Sequence, residues 1–148
     1  MSDIIIETMR ETHIADIALI EKESFCVPWS ENALREELRN PNAFFLAAVC
    51  GGRAVGYVGS YCVCGESYIT NIAVLPEYRK RGIGEKLLCE LMRHCIKEEC
   101  AFLTLEVRKS NLAAITLYEK LGFESVGERK DFYEKPTENA LLYTKFFR

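Results

Sequence analysis

The segment Ile72 to Leu88, IAVLPEYRKRGIGEKLL, puts an apolar strand, a cationic glycine-containing turn and an amphipathic helix in direct succession. The turn Arg79-Lys80-Arg81-Gly82-Ile83-Gly84 opens the helix, so the first backbone N–H groups have no intrahelical partner and carry partial positive charge. Phosphate suits such a place. Gly82 and Gly84 remove the Cβ atoms that hold a ligand off the backbone, and three consecutive cations raise the local potential. The spacing Arg79-x-x-Gly82-x-Gly84 is not a GxxxxGK[ST] loop, and a Rossmann GxGxxG would need a third glycine where Leu87 stands. An ordinary glycine-capped strand-to-helix connection fits it equally well. Downstream, Glu106 ends an apolar strand and is either a proton acceptor or a solvated strand-end carboxylate. Tyr118, four residues after Ala114 on a helix, is either core or a phenol available to a reaction, and Asn111 can cap that same helix.

Those residues need a framework. Ile4 to Met9 reads as a strand, and Thr12 is placed to cap a helix running to about Phe25. Pro28 breaks it, Ser30 caps a second helix striped by Leu34 and Leu38, and Asn40-Pro41-Asn42 ends that one. Ala43 to Cys50 and Arg53 to Cys64, joined by Gly51-Gly52, form a hairpin signal, and Ser67 to Leu75 follows as the next antiparallel strand. A sheet-covering helix spans Gly82 to about Glu99, with Ile83, Leu87, Leu88 and Leu91 on one side. Then come a buried strand from Ala101 to Val107, a helix from Asn111 to Leu121 stopped by Gly122, and strands at about Phe123 to Tyr133 and Ala140 to Phe147. The order βααβββαβαββ predicts an α/β (α+β) protein with a mixed sheet of about seven strands and a parallel crossover through the third helix.

At 148 residues, with no repeat, low-complexity run or linker, residues 1–148 are expected to form a single domain. A hydrophobic fraction of 49% with 28% charged residues excludes wholesale disorder. No apolar run reaches the ~20 residues of a membrane span, and Met1-Ser2-Asp3 before Ile4-Ile5-Ile6 lacks the basic leader of a secretory signal, so a cytoplasmic location without membrane attachment is expected. A net charge of −3 argues against nucleic acid as partner. The seven cysteines contain no CxxC pair and read as small buried hydrophobes, and His13 and His94 have no partners at ligand spacing; no metal is expected.

The turn resembles the pyrophosphate loop [QR]-x-x-G-x-[GA] of the GNAT-superfamily N-acetyltransferases, and Ala114-x-x-Leu117-Tyr118-x-x-x-Gly122-Phe123 resembles a second signature of that superfamily. With Pro28-Trp29-Ser30, Asn71-Ile72-Ala73-Val74 and Asp131-Phe132-Tyr133, the chain is similar to the bacterial ribosomal-protein-alanine N-acetyltransferase (RimI) branch, from Pro28 through Ala140. The resemblance implies a GNAT fold and acetyl-CoA as co-substrate, held by Ile72, Ala73, Val74, Arg79, Lys80, Arg81, Gly82, Ile83, Gly84, Glu85 and Asn111, with the Val74 N–H facing the oxyanion. It implies Glu106 as general base, Tyr118 as general acid toward the departing thiolate, and Trp29, Tyr133 and Glu138 in the acceptor groove beside an acidic second helix (Glu31, Glu36, Glu37). The base has a purpose: an α-amine has a pKa near 7.7–8.0 and must lose a proton before attacking a thioester. The implied acceptor is a protein N-terminus, the alanine of a small-subunit ribosomal protein, by direct transfer without an acetyl-enzyme. A lysine side chain or small amine as acceptor, and a non-catalytic acyl-CoA-binding module, remain open alternatives. The family's Glu-Asp-Ala before the last strand is Glu138-Asn139-Ala140 here, a departure that bears on the acceptor.

Overall fold

The computed structural model describes residues 3–147; Met1 and Ser2, which entered the expectation about a leader, lie outside the described residues. Among these, the elements run β1 (Ile4–Thr8), α1 (Ile14–Ser24), α2 (Glu31–Glu37), β2 (Ala43–Cys50), β3 (Arg53–Val63), β4 (Glu66–Val74), α3 (Ile83–Lys97), β5 (Phe102–Arg108), α4 (Leu112–Lys120), β6 (Glu124–Tyr133) and β7 (Glu138–Phe146). This is the expected order. The strands form one seven-stranded sheet, β1-β2-β3-β4-β5-β7-β6. β4 and β5 pair in parallel and are joined through α3, while the other neighbours are antiparallel.

Local chemistry explains most boundaries. Gly51 and Gly52, at φ 59° and 80°, make the left-handed two-residue turn that suits the twist of the β2–β3 hairpin. The Ser30 side chain accepts from Ala33 N at 3.1 Å and so caps α2. Thr12 does not cap α1. It lies in a 3₁₀ turn, Glu11–His13, and His13 folds back instead, its Nδ1 accepting from Arg10 N at 3.0 Å before α1 starts at Ile14. Cys64, expected on the strand with Cys62, has left it at φ 53°, and both Cys26 and Cys64 are exposed; of the seven cysteines, Cys95 and Cys100 are the ones fully in the core.

Helices cover both faces because strand side chains alternate. Phe44 stacks on His94 of α3 at 3.5 Å between centroids, whereas its neighbour Phe45 meets Trp29 at 5.9 Å and Tyr57 at 6.4 Å on the α1–α2 side. The core is continuous across the sheet: Ile17, Ile20 and Leu34 on one side and Leu87, Leu88 and Leu91 on the other are all 0% exposed.

An irregularity in β4 breaks the regular pairing at the centre of the sheet. The β3–β4 register shifts between Gly59↔Asn71 and Ser60↔Ile69, leaving Thr70 as an extra residue, a bulge that bends and twists β4. On its other side β4 pairs with β5 only from Glu66 to Tyr68. Beyond Tyr68 the two parallel strands separate, and a gap opens in the middle of the sheet.

Candidate active site

The gap is lined by backbone. Leu75 N donates to Val55 O at 2.8 Å, which in this antiparallel register makes Ala73↔Tyr57 a hydrogen-bonded pair and Val74↔Gly56 a non-hydrogen-bonded one. Ala73 therefore turns its N–H and C=O to β3, while Ile72 and Val74 turn theirs into the gap. The Val74 carbonyl confirms that direction, since it accepts from Arg79 Nε at 3.0 Å. Val74 N–H, on the same side of the strand, faces the space between β4 and β5.

The cationic turn follows at once. Gly82 has φ 78°, and a Cβ there would meet nothing within 4 Å, so its requirement is conformational rather than steric. Gly84 has only Leu117 Cδ2 nearby, at 3.6 Å. The first intrahelical bond of α3 runs from Lys86 N to Gly82 O at 3.1 Å, which leaves the N–H groups of Ile83, Gly84 and Glu85 directed out of the helix start. Arg79 grips Val74 O, and Arg81 donates to Glu77 O at 3.0 Å while lying 5.0 Å over the Tyr78 ring, so both arginines brace the turn against the strand it leaves. Lys80 sits at φ 63° in the same turn. Glu85 faces away from this cradle toward Lys120, at 2.7 Å, and links α3 to α4.

Across the gap, β5 alternates strictly, burying Leu103, Leu105 and Val107 and leaving the Glu106 side chain 28% exposed, with Arg129 Nε 3.9 Å from its Oε1. Glu106 lines a cleft of about 430 Å³ together with Ile72, Asn71, Asn111, Tyr118 and Tyr133. Tyr118 reaches it from α4, 5% exposed and packed against Phe123 at 5.6 Å and Tyr143 at 6.4 Å. Burial, and secondarily the neighbouring Tyr133, push the Tyr118 phenol well above its ordinary range. Asn111 caps α4, its Oδ1 accepting from Ala114 N at 3.2 Å, and borders the cleft from that position. Two buried hydroxyl oxygens, Ser24 Oγ and Thr70 Oγ1, lack a partner among the described residues, and both residues line this cleft. Unsatisfied polar atoms beside free strand backbone suit an extended ligand carrying amides.

A second hollow of about 500 Å³ adjoins the first through Phe25, Asn71, Arg108 and Tyr133, and Trp29 forms part of its far wall. Its walls are mixed, Phe25, Val27, Trp29, Phe132 and Tyr133 alternating with Asn71, Arg108, Glu134 and Lys135. The acidic wall expected from α2 is not there: Glu31 lies on a separate surface depression beside Arg35, and Arg35 pairs with Glu11 at 2.7 Å and Glu31 at 3.7 Å. Helix phase turns Glu31 and Glu36 outward, while Glu37, three residues after the buried Leu34, accepts from Asn40 Nδ2 at 3.3 Å away from this hollow. Cys26 borders the hollow, its thiol 3.6 Å from the Lys135 carbonyl oxygen.

The β6–β7 side of this hollow is held by Arg108, a residue the sequence did not single out. Its guanidinium donates to Glu134 O at 2.9 Å, Pro136 O at 3.0 Å and Glu138 Oε1 at 3.1 Å, and lies 4.5 Å over the Tyr133 ring. Burial above all, with the charge of Glu106 adding to it, pushes the Tyr133 phenol up to about 12. Glu138 faces inward, also accepting from Ser110 N at 2.6 Å, so it supports the hollow from behind. Asn139 donates to Glu128 Oε2 at 2.6 Å and its Oδ1 accepts from Asp131 N at 2.9 Å; an aspartate there would set a carboxylate against Glu128. The departure from the family's Glu-Asp-Ala is thus satisfied within the β6–β7 pair.

Glu21 was also missed. It stands four residues after Ile17 on the buried stripe of α1, 0% exposed, and accepts from Trp29 N at 2.8 Å, from Asn71 Nδ2 at 3.3 Å and from the Tyr57 hydroxyl. Burial raises its pKa against the pull of those three donors.

Comparison with known proteins places this geometry. The sequence model of the acetyltransferase (GNAT) family matches residues 14–123. The ribosomal protein bS18-alanine N-acetyltransferase of Haemophilus influenzae is 36% identical over 126 residues, covering 83% of this chain and 85% of that one. The crystal structure of the ribosomal-protein-S18-alanine N-acetyltransferase from Escherichia coli superposes with a TM-score of 0.88 at 30% identity, over 96% of this chain and 92% of that chain. Arabidopsis thaliana NAA60 in complex with acetyl-CoA shares the fold, with a TM-score of 0.89 at 20% identity over 98% and 99% of the two chains. With the family match over most of its length, the chain is a member of the GNAT acetyltransferase family.

Proposed function

We propose that this chain transfers the acetyl group of acetyl-CoA directly to a protein N-terminal α-amine, and that its acceptor is the N-terminal alanine of a small-subunit ribosomal protein. The observation that carries the reading is that Glu106 and Tyr118 line one cleft together with Ile72 of β4, two residues before Val74 turns its backbone into the gap and a short way ahead of the cationic turn that opens α3. The names of the bS18-alanine N-acetyltransferases of Haemophilus influenzae and Escherichia coli support the acceptor.

In this reading Arg79, Lys80, Arg81 and the N–H groups of Ile83, Gly84 and Glu85 receive the pyrophosphate, and the parted edge of β4 at Ile72 and Val74 receives the pantetheine amides by completing the sheet. Ala73 contributes its position rather than its hydrogen bonds. Glu106 accepts the proton that the amine must lose, and Val74 N–H stabilises the oxyanion that forms when the amine attacks. The buried Tyr118 hydroxyl remains protonated at neutral pH and donates to the leaving sulfur. Trp29 and Tyr133 flank the acceptor, with Glu138 behind Tyr133.

The test offers acetyl-CoA with two peptides, one with a free N-terminal alanine and no lysine, the other with a blocked N-terminus and an internal lysine. Acetylation of the first alone is expected; acetylation of the second alone sinks the N-terminal reading. Glu106→Gln is expected to lower kcat about 100-fold or more with little change in KM for acetyl-CoA.

A further inference from the structure

Glu21 lies behind the wall of the acceptor hollow, and the proposed acetyl transfer makes no use of it. All three contacts of Glu21 are ones its carboxyl oxygens accept, from Trp29 N, the Tyr57 hydroxyl and Asn71 Nδ2, the last at 3.3 Å. Because the amide is planar, its Oδ1 is then directed away from Glu21, and Asn71 lines both hollows. The same carboxylate accepts from the backbone N–H of Trp29, which also lines the acceptor hollow. A single buried group thus holds two residues of that lining.

Packing alone does not call for such a group. A buried carboxyl whose partners are all neutral is costly to build into a core, and an apolar residue of similar volume fills the same space at lower cost. What the carboxyl adds is direction: its two oxygens take three donors, whereas a glutamine at this position has an amide that must donate, and the Asn71 amide would have no fixed sense.

We propose that Asn71 is an acceptor-binding residue whose Oδ1 receives an N–H of the acceptor's first residue, and that Glu21 is the positioning residue that fixes the amide in that sense. The inference rests on the proposed N-terminal acetyl transfer. Asn71 faces the α1 side of the sheet, where Glu21 lies, while the anion-binding turn opens α3 on the other face. Its effect belongs to the acceptor, not to acetyl-CoA.

The experiment measures KM for acetyl-CoA and for the alanine-starting peptide, with thermal unfolding, in the wild type, Asn71→Ala, Glu21→Gln and the double variant. Asn71→Ala is expected to raise the peptide KM about tenfold, the loss of one hydrogen bond to a cationic or polarised donor, with KM for acetyl-CoA within about twofold. Glu21→Gln is expected to reproduce most of that rise, and the double variant to be no worse than Asn71→Ala. A peptide KM unchanged in Asn71→Ala overturns the proposal, as do two KM values rising together or effects that simply add in the double variant. If Glu21→Gln does not fold, Asn71→Ala still decides the acceptor contact. A wild-type chain that leaves the alanine peptide unmodified overturns the functional reading and this inference with it; turnover by the wild type with an unmoved Asn71→Ala overturns the inference alone.

Discussion

A phenol buried as deeply as Tyr118 holds its proton tightly, and that decides how it can serve. Its pKa is raised above the ordinary value of 10, so the group is present as the acid throughout the neutral and mildly alkaline range. Any loss of rate between pH 7 and 10 must therefore come from another group, and Tyr118→Phe should lower kcat by about 100-fold across that whole range without shifting the shape of the profile. A profile of kcat against pH for both proteins checks this. Tyr118, Glu106 and Asn111 were legible because each sits in a short motif whose spacing is local. Glu21 and Arg108 were not, since Tyr57 and Asn71 lie 36 and 50 residues from Glu21, and the partners of Arg108 lie 26 to 30 residues from it. A glutamate on an otherwise apolar helix stripe was the signal available for Glu21, and a basic residue two positions beyond Glu106 was the one for Arg108.

At the scale of elements, the strand–turn–helix unit was readable because hydrophobic period, glycines and cations all point to the same structure. Gly82 is the point of strictest demand. At φ 78°, with open space around it, Gly82→Ala meets no clash but must adopt a left-handed conformation that costs a Cβ-bearing residue about 1–2 kcal/mol. The expected outcome is a several-fold rise in KM for acetyl-CoA with kcat at saturation nearly unchanged, read from initial rates at fixed peptide. Leu91→Ala, in the fully buried stripe of α3, contrasts with it: a loss of about 2–5 kcal/mol in unfolding free energy by denaturant titration, with the catalytic constants of the folded fraction retained. The parting of β4 from β5 was not readable in this way. It depends on the bulge at Thr70 and on where pairing stops at Tyr68, and neither pairing partner is written into the local pattern of β4. His13 in place of Thr12 at the start of α1 is a smaller case of a different kind, a local side-chain-to-backbone bond to Arg10 N displacing the expected cap.

At the scale of the whole molecule, the two halves of the sheet meet only through the short parallel pairing of β4 with β5, and the acceptor hollow spans the seam between them. Trp29 and Asn71 belong to the half that Glu21 ties together, whereas Tyr133 belongs to the half that Arg108 ties to β5. Arg108 is thus placed to hold the β6–β7 turn against the hollow, and its grip depends on the charge of Glu138. Hydrogen bonding from Ser110, with Arg108 beside it, holds the Glu138 carboxyl below its ordinary value of 4.5. A folded-state value below the unfolded one means that the contribution is complete above about pH 4.5 and is lost as the pH falls through the lower, folded value. The turn at residues 134–137 is therefore expected to stay closed through the mildly acidic range and to open only as the pH falls below the ordinary carboxylate value. Arg108→Ala should produce at pH 7 what acid produces in the wild type: faster amide exchange confined to residues 133–138 and a raised KM for the peptide, with acetyl-CoA binding retained. Exchange that remains slow in Arg108→Ala, or that rises equally in β1 and β2, would mean that the turn is held by the strand pairing of β6 with β7 and not by this guanidinium.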